Sequence, residues 1–253
     1  MHLLIVSSLA QPHLPCWYTV SAQSRANSML SEGVGPWQPK ICVAEPNGRS
    51  MPEPSTRRGR DTKRRIIAVA AELMYERGVD ATSVEDVLAA SGTGKSQFYH
   101  YLSSKEELVA EVMNHQLEQI LTEQGPLPLD TWTGIDAWFD ALVERHQTQR
   151  KFHGCPLGSI VSQVLDQSDY LHTSAKDAFT RWESSLADGL HAMRARGLLR
   201  DDAEPTVLAE VTIAILQGGY LLSSTKQDSR PMRNALAAAL THLTSFAPPA
   251  PHR

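Results

Sequence analysis

From Ile66 to Leu108 apolar residues recur every three or four positions with polar residues between them, the period of a helix with one buried face. Ile66, Ala70, Leu73 and Met74 form one such stripe, and Gly78 in "YERGVDATS" stops it. Val84, Val87 and Leu88 make a second, shorter stripe that Thr82 or Ser83 is placed to cap. "SGTG" interrupts it, and Phe98 and Leu102 mark a third helix predicted from about Lys95 to Leu102. "SSKEEL" opens a fourth, with Ser104 and Glu107 at capping-box spacing. No proline falls between Ser55 and Gly125 to break any of them.

Beyond Gly125 the helical period continues. "DTWTGIDAWFDALVERHQTQ" is one segment and "PLGSIVSQVLDQ" a shorter one. A long segment from about Asp169 to Arg196 carries Leu171, Ala175, Ala178, Trp182, Leu186, Leu190 and Met193 along one side, and Gly197 is placed to end it. Pro205 and Pro231 suit the first turns of the last two helices. Alternation of period two is nowhere long enough for a strand, so the expected fold is all-α. Seven of the 15 prolines lie in the first 55 residues, where periodic apolar positions are few, so residues 1–55 are predicted to form a disordered or irregular extension. Met51 within it is a candidate start of translation. Two domains are then expected, residues 56–108 and 109–247, with a tail at 248–253.

Charge adds a local feature that the net value of −4 conceals. "RRGRDTKRR", residues 57–65, holds six basic residues against one acid, whereas from Leu108 onward 12 Lys/Arg face 17 Asp/Glu. The three cysteines, Cys16, Cys42 and Cys155, are scattered, with no CxxC pair and no His/Cys cluster at zinc spacing. That pattern argues against a disulfide framework or structural metal and fits a cytoplasmic protein. No apolar run reaches the ~18 residues of a membrane span, and "MHLLIVSSLA" lacks the basic flank and cleavage site of a signal peptide. No membrane partner and no cofactor are expected.

The stretch "SGTGKS", Ser91 to Ser96, raises a chemical question. A phosphate-binding loop of the form GxxxxGK[ST] needs a glycine at position 89, where this chain has Ala89, and a buried strand before it. The preceding "SVEDVLAA" is helical by period. The competing reading is a helix-turn-helix, whose second helix offers its outer face to a DNA groove. At 100° per residue, with Phe98 turned inward, Ser96 and His100 point away, Gln97 and Tyr99 flank them, and Lys95 stands at the helix start. Glutamine pairs with adenine and lysine with guanine in the major groove. A plain solvated helix usually mixes Glu with Lys, and this face has no acid.

The segment Thr62 to Met113, and above all "TSVEDV", the "SG" turn and "FYHYLSSKEEL", resembles the DNA-binding domain of the TetR/AcrR family of transcriptional regulators from end to end. The resemblance implies a non-enzymatic homodimer on a palindromic DNA operator. By position, Thr82 or Ser83, Tyr99, His100 and Lys105 would contact phosphates, while Lys95, Ser96 and Gln97 would read bases. Thr93 and Gly94 depart from the family pattern, which has a valine and a capping serine or threonine there. The basic run fits an arm reaching the backbone or minor groove, or else a solvated charge run.

"FHGCPLGSIVSQV", "RARGLL" and "LAEVTIAILQGGYLL" resemble a C-terminal half found in part of that family, which implies a helical ligand-binding and dimerisation domain for a small-molecule effector. "VLAEVTIAILQGGYLL" is apolar nearly all round and must be buried on more than one side. The two longest helices, roughly 169–196 and 205–224, are expected to pair with their copies, Gly218 and Gly219 allowing close approach. Trp132, Trp138, Phe139, Phe152, Phe179, Trp182 and Tyr220 are candidates to line a pocket, with His146, His153 and Gln217 supplying polar groups; ordinary core packing is the alternative. Cys155 precedes Pro156 at a helix start, a position that can lower a thiol's pKa, so a redox or electrophile sensor is a second reading beside a buried inert cysteine. A helical enzyme would need converging carboxylates or histidines, and a pure interaction module would leave the face at residues 96–100 unexplained.

Overall fold

The computed structural model of the protein describes residues 54–148 and 153–249. Residues 1–53 of the expected extension, with Met51, and residues 250–253 of the tail lie outside the described residues. Among the described residues all regular structure is helical, in nine elements. They are α1 (Arg57–Arg77), α2 (Val84–Ser91), α3 (Lys95–Tyr101), α4 (Lys105–Gln124), α5 (Trp132–Thr148), α6 (Pro156–Val164), α7 (Asp169–Ala195), α8 (Pro205–Lys226) and α9 (Arg230–Thr244).

The first three helices show why the local sequence folds as it does. Ser83 caps α2 in a reciprocal box with Asp86, each side chain accepting the other's backbone N–H. The Ser83 hydroxyl, and after it the Ser83 N–H, donate to the Asp86 carboxyl and hold it below the usual carboxylate range. Gly92 ends α2 in the left-handed region at φ 63°, where a side chain would be strained. Ile66, Met74, Val87, Phe98, Leu102 and Leu108 close the small core between α1, α2, α3 and the start of α4. Ser104 caps α4, but Glu107 reaches one residue further back than the capping box predicts, to the backbone N–H and hydroxyl of Ser103.

The basic run is not an arm. Arg57 to Arg65 form the first turns of α1, which Thr56 caps through the Gly59 N–H at 3.1 Å. Gly59 is buried there; a Cβ on it would come within 2.9 Å of Pro54 and 3.4 Å of the Tyr101 hydroxyl.

In the second half α7 and α9 pack on either side of α8, and α4 packs on α7. Gly197 takes φ 71° just past α7 and Pro205 opens α8, both as their residue types dictate. Gly219 lets α8 approach α9, since a Cβ there would stand 3.0 Å from Ala235 and 3.1 Å from the Met232 sulfur. Gly218 faces the other way, into open space. The outer side of α7 is polar, with His172, Lys176, Thr180, Ser184, Asp188 and His191 exposed. The outer stripe of α8 is mostly apolar, with Val207, Ala214, Gly218, Leu221 (67 % exposed) and Leu222, and it also exposes Glu210 and Thr225. On α9, Ala237, Ala238 and Thr241 are exposed.

Candidate DNA-binding surface and effector domain

Helix α3 has seven residues, so one anchor decides its orientation. Phe98 is that anchor, fully buried, and Leu102 beside it is equally buried. Burying a phenylalanine contributes about 1.5–3 kcal/mol. Lys95, Ser96, Gln97, Tyr99 and His100 are left on the outside, as the 100° spacing predicts. Tyr99 is 47 % exposed, with its ring edge-on to Phe98 at 5.2 Å. Lys95 lies 4.0 Å from Glu85, an exposed pair of little energetic weight.

The turn before α3 turns its side chains inward. Thr93 is buried with its hydroxyl 2.6 Å from that of Ser91, and Gly94 provides no side-chain cap. Thr82 corrects the sequence reading. Only 1 % exposed, it donates its hydroxyl to the Gly78 carbonyl at 2.8 Å, so Ser83 alone remains on the surface as cap and phosphate candidate. Lys105 is half-buried and donates to the Val79 carbonyl at 2.7 Å.

The ten residues proposed for the effector pocket separate into two groups, apart from Phe152, which lies outside the described residues. Trp132, Trp138, Phe139, Phe179 and Trp182 belong to the packed core around α5 and α7. The carboxamide oxygen of buried Gln124 accepts from both indoles, at 3.2 Å from Trp138 Nε1 and 3.1 Å from Trp182 Nε1. With their only polar atoms satisfied internally, these two tryptophans read as core.

The other group gathers where α5, α6 and α8 meet. Tyr220 receives a hydrogen bond from Arg145 at 3.1 Å, and Arg145 also pairs with Glu123. Cys155 caps α6 with its sulfur, accepting from the Gly158 N–H at 3.3 Å. Gln217 keeps its buried amide nitrogen without an acceptor. His146 is buried next to Ser223. Exposed His153 lies edge-on to Tyr75 of α1 at 5.4 Å, and Tyr75 donates to the Gly154 carbonyl at 2.9 Å. Burial pushes the Cys155 thiol and the Tyr220 phenol up and the His146 imidazole down. The helix-start position therefore does not lower the Cys155 pKa, because desolvation outweighs it. The Gly158 N–H and the Arg145 charge favour the thiolate a sensor would need, but burial prevails over them.

Tyr75 and Arg145 escaped the sequence reading. A tyrosine in the first helix and an arginine in a last helical turn both have ordinary local explanations, and their partners stand 79 and 75 residues away. Also missed was Gln163 of α6, which accepts the Val79 N–H at 2.9 Å across 84 residues. A nine-residue helix thus touches the polar group with one end and the α1–α2 turn with the other.

Two family models match. "Bacterial regulatory proteins, tetR family" covers residues 66–112, and "Transcriptional regulator LmrA/YxaF-like, C-terminal domain" covers 131–238. Together they span more than half of the chain. An uncharacterized HTH-type transcriptional regulator of Lactococcus lactis is 29 % identical over 67 % of this chain and 86 % of its own length. The HTH-type transcriptional repressor DhaR of a Mycobacterium species is 23 % identical, over 72 % and 91 %. In fold the chain is similar to reduced NemR of Escherichia coli, with a TM-score of 0.66, 20 % identity, and coverage of 76 % of this chain and 100 % of that one. Helix-turn-helix, outward polar face and helical second domain agree with both matched models: the chain belongs to the TetR family of DNA-binding transcriptional regulators.

Proposed function

We propose that the protein is a cytoplasmic repressor that binds a palindromic operator as a homodimer and leaves it when a small molecule binds the second domain. The observation that carries this is the outer face of α3: a short helix pinned by Phe98, holding Ser96, Gln97, Tyr99 and His100 outward with no acid among them. Lys95, Ser96 and Gln97 are assigned to base edges; Ser83, Tyr99, His100 and Lys105 are assigned to phosphates. The apolar stripe of α8 is assigned to the partner copy, where Gly218 lets the helices come close.

The effector is assigned to the polar group of Arg145, His146, Cys155, Gln217 and Tyr220. The unused Gln217 amide donor supports a ligand bearing a hydrogen-bond acceptor. Helix α6 is the proposed link. An effector that alters Cys155 or Gly158 shifts α6, and Gln163 and Tyr75 carry the shift to the HTH domain, so binding of effector and operator are thermodynamically coupled.

Selection of duplexes from a random pool with the full chain tests the reading. The expected product is a palindrome bound by two protomers, with the double substitution Tyr99→Ala and His100→Ala lowering affinity at least about a hundredfold while leaving helix content unchanged. Recovery of no preferred duplex overturns the proposal.

A further inference from the structure

The six basic residues of the run from Arg57 to Arg65 divide into two sets. Three have structural tasks. Arg60 donates to the carbonyls of Pro54 and Ser55, Lys63 is buried against Glu111 at 2.7 Å, and Arg64 pairs with Asp61. The other three do not. Arg57 lies 3.9 Å from Asp61, which Arg64 already engages, and Arg58 and Arg65 form no ion pair among the described residues. Arg58, Asp61, Thr62 and Arg65 share one face of α1 at spacings of three and four. That face, with Arg57, forms one wall of a cleft whose opposite wall is Gly92 and Gln97.

We infer that this cleft between α1 and α3 is a second DNA-contact site, in which Arg57, Arg58 and Arg65 hold backbone phosphates beside the stretch read by α3. The inference rests on the DNA-binding reading and adds three residues outside the recognition helix, all before the residues matched by the DNA-binding family model. Three observations carry it. The cleft is continuous with the α3 face, since Gln97 belongs to both. Its charge is three cations to one carboxylate, and that carboxylate is shared by Arg57 and Arg64. The first turn of α1 has no acid, so cations stand at the positive end of the helix, an arrangement that an anion relieves.

The geometry also decides which part of the duplex is held. A minor groove is about 6 Å wide, and a helix with its side chains is about 10–12 Å across. An extended arm could enter that groove; a helix capped by Thr56 and packed through Gly59 on Tyr101 cannot. The contact is with phosphates and carries no sequence information of its own.

The test compares the full chain with the double variants Arg58→Gln/Arg65→Gln and Arg58→Lys/Arg65→Lys on the duplex selected by the unsubstituted protein. Removing two cations from each protomer of a dimer makes the slope of log affinity against log salt shallower by about 3 to 4. The lysine variant keeps the original slope. The ratio of affinities for selected and random duplex changes little between the three proteins. An unchanged slope in the glutamine variant overturns the inference, and so does altered preference for A·T flanks, which would indicate minor-groove entry. Either failure leaves the regulator reading intact if alanine at Tyr99 and His100 still abolishes binding. Shortening the duplex flanks tests the site without any substitution. Affinity of the unsubstituted protein falls when the flanking phosphates are removed, and constant affinity overturns the inference.

Discussion

Two regions of the molecule, the outer face of α3 and the polar group around Cys155, have opposite habits. The α3 face leaves its hydrogen-bonding groups unspent: Ser96, Gln97 and His100 are exposed, and none has a side-chain partner beyond its own neighbourhood. In the group around Cys155 most polar atoms are committed, Arg145 to Tyr220 and Glu123, Cys155 to Gly158, Tyr75 to Gly154, with the Gln217 amide nitrogen left over. A surface that waits for a large rigid partner can stay open because water satisfies it meanwhile. A buried site has no water to spare, so its groups must satisfy one another until a ligand takes their place. The first kind of site announces itself as unpaired chemistry, the second as a network.

The largest effect that would sharpen this contrast is the loss of the α3 anchor. Phe98→Ala is expected to destabilise the protein by about 3–5 kcal/mol, seen as a lower denaturation midpoint, and to abolish DNA binding with it. The outward residues of α3 should lack any such stability effect; a large loss of stability on replacing Tyr99 would break the comparison. Next in size is Gln124→Leu, which strands two buried indole N–H groups and should cost about 1–3 kcal/mol for each. A neutral result in urea denaturation would return Trp138 and Trp182 to the list of pocket residues.

A smaller effect concerns Cys155. Burial raises its pKa above the ordinary thiol value, so the thiolate is scarcer in the folded chain than in the unfolded one at any pH where either ionises. Iodoacetamide should therefore label the Cys155 peptide at least tenfold more slowly at pH 8 in native protein than in urea, measured by mass spectrometry. The neutral thiol's contribution to stability holds below its unfolded-state pKa and fades as pH rises past it. Equal labelling would mean that the network is open to solvent and resembles the α3 face after all.

What was legible in the sequence was what short-range rules govern. Ser83, Ser104, Gly197 and Pro205 sit where capping and stopping rules put them, and Phe98 follows from the helical period alone. The same rules could not choose between Thr82 and Ser83, since both residue types cap; the choice depends on the Gly78 carbonyl that takes the Thr82 hydroxyl. Nor did they distinguish an arm from a helix in the basic run, because Gly59 packs close to Tyr101, some forty positions on. The polar group around Cys155 is assembled from α5, α6 and α8, and aromatic residues of a core and of a pocket have the same periodicity. Only the partner of each polar atom separates Trp182 from Tyr220.

One consequence follows from the Gln124 carboxamide. Two of the five tryptophans share a single acceptor carried by α4, while the indoles themselves ride on α5 and α7. A rearrangement that draws α4 away from both α5 and α7 breaks both bonds and opens both indole N–H groups to water. The protein's own ultraviolet emission should then shift to longer wavelength on cognate effector binding, an intrinsic optical signal with which candidate compounds can be screened without a dye and before the operator sequence is known.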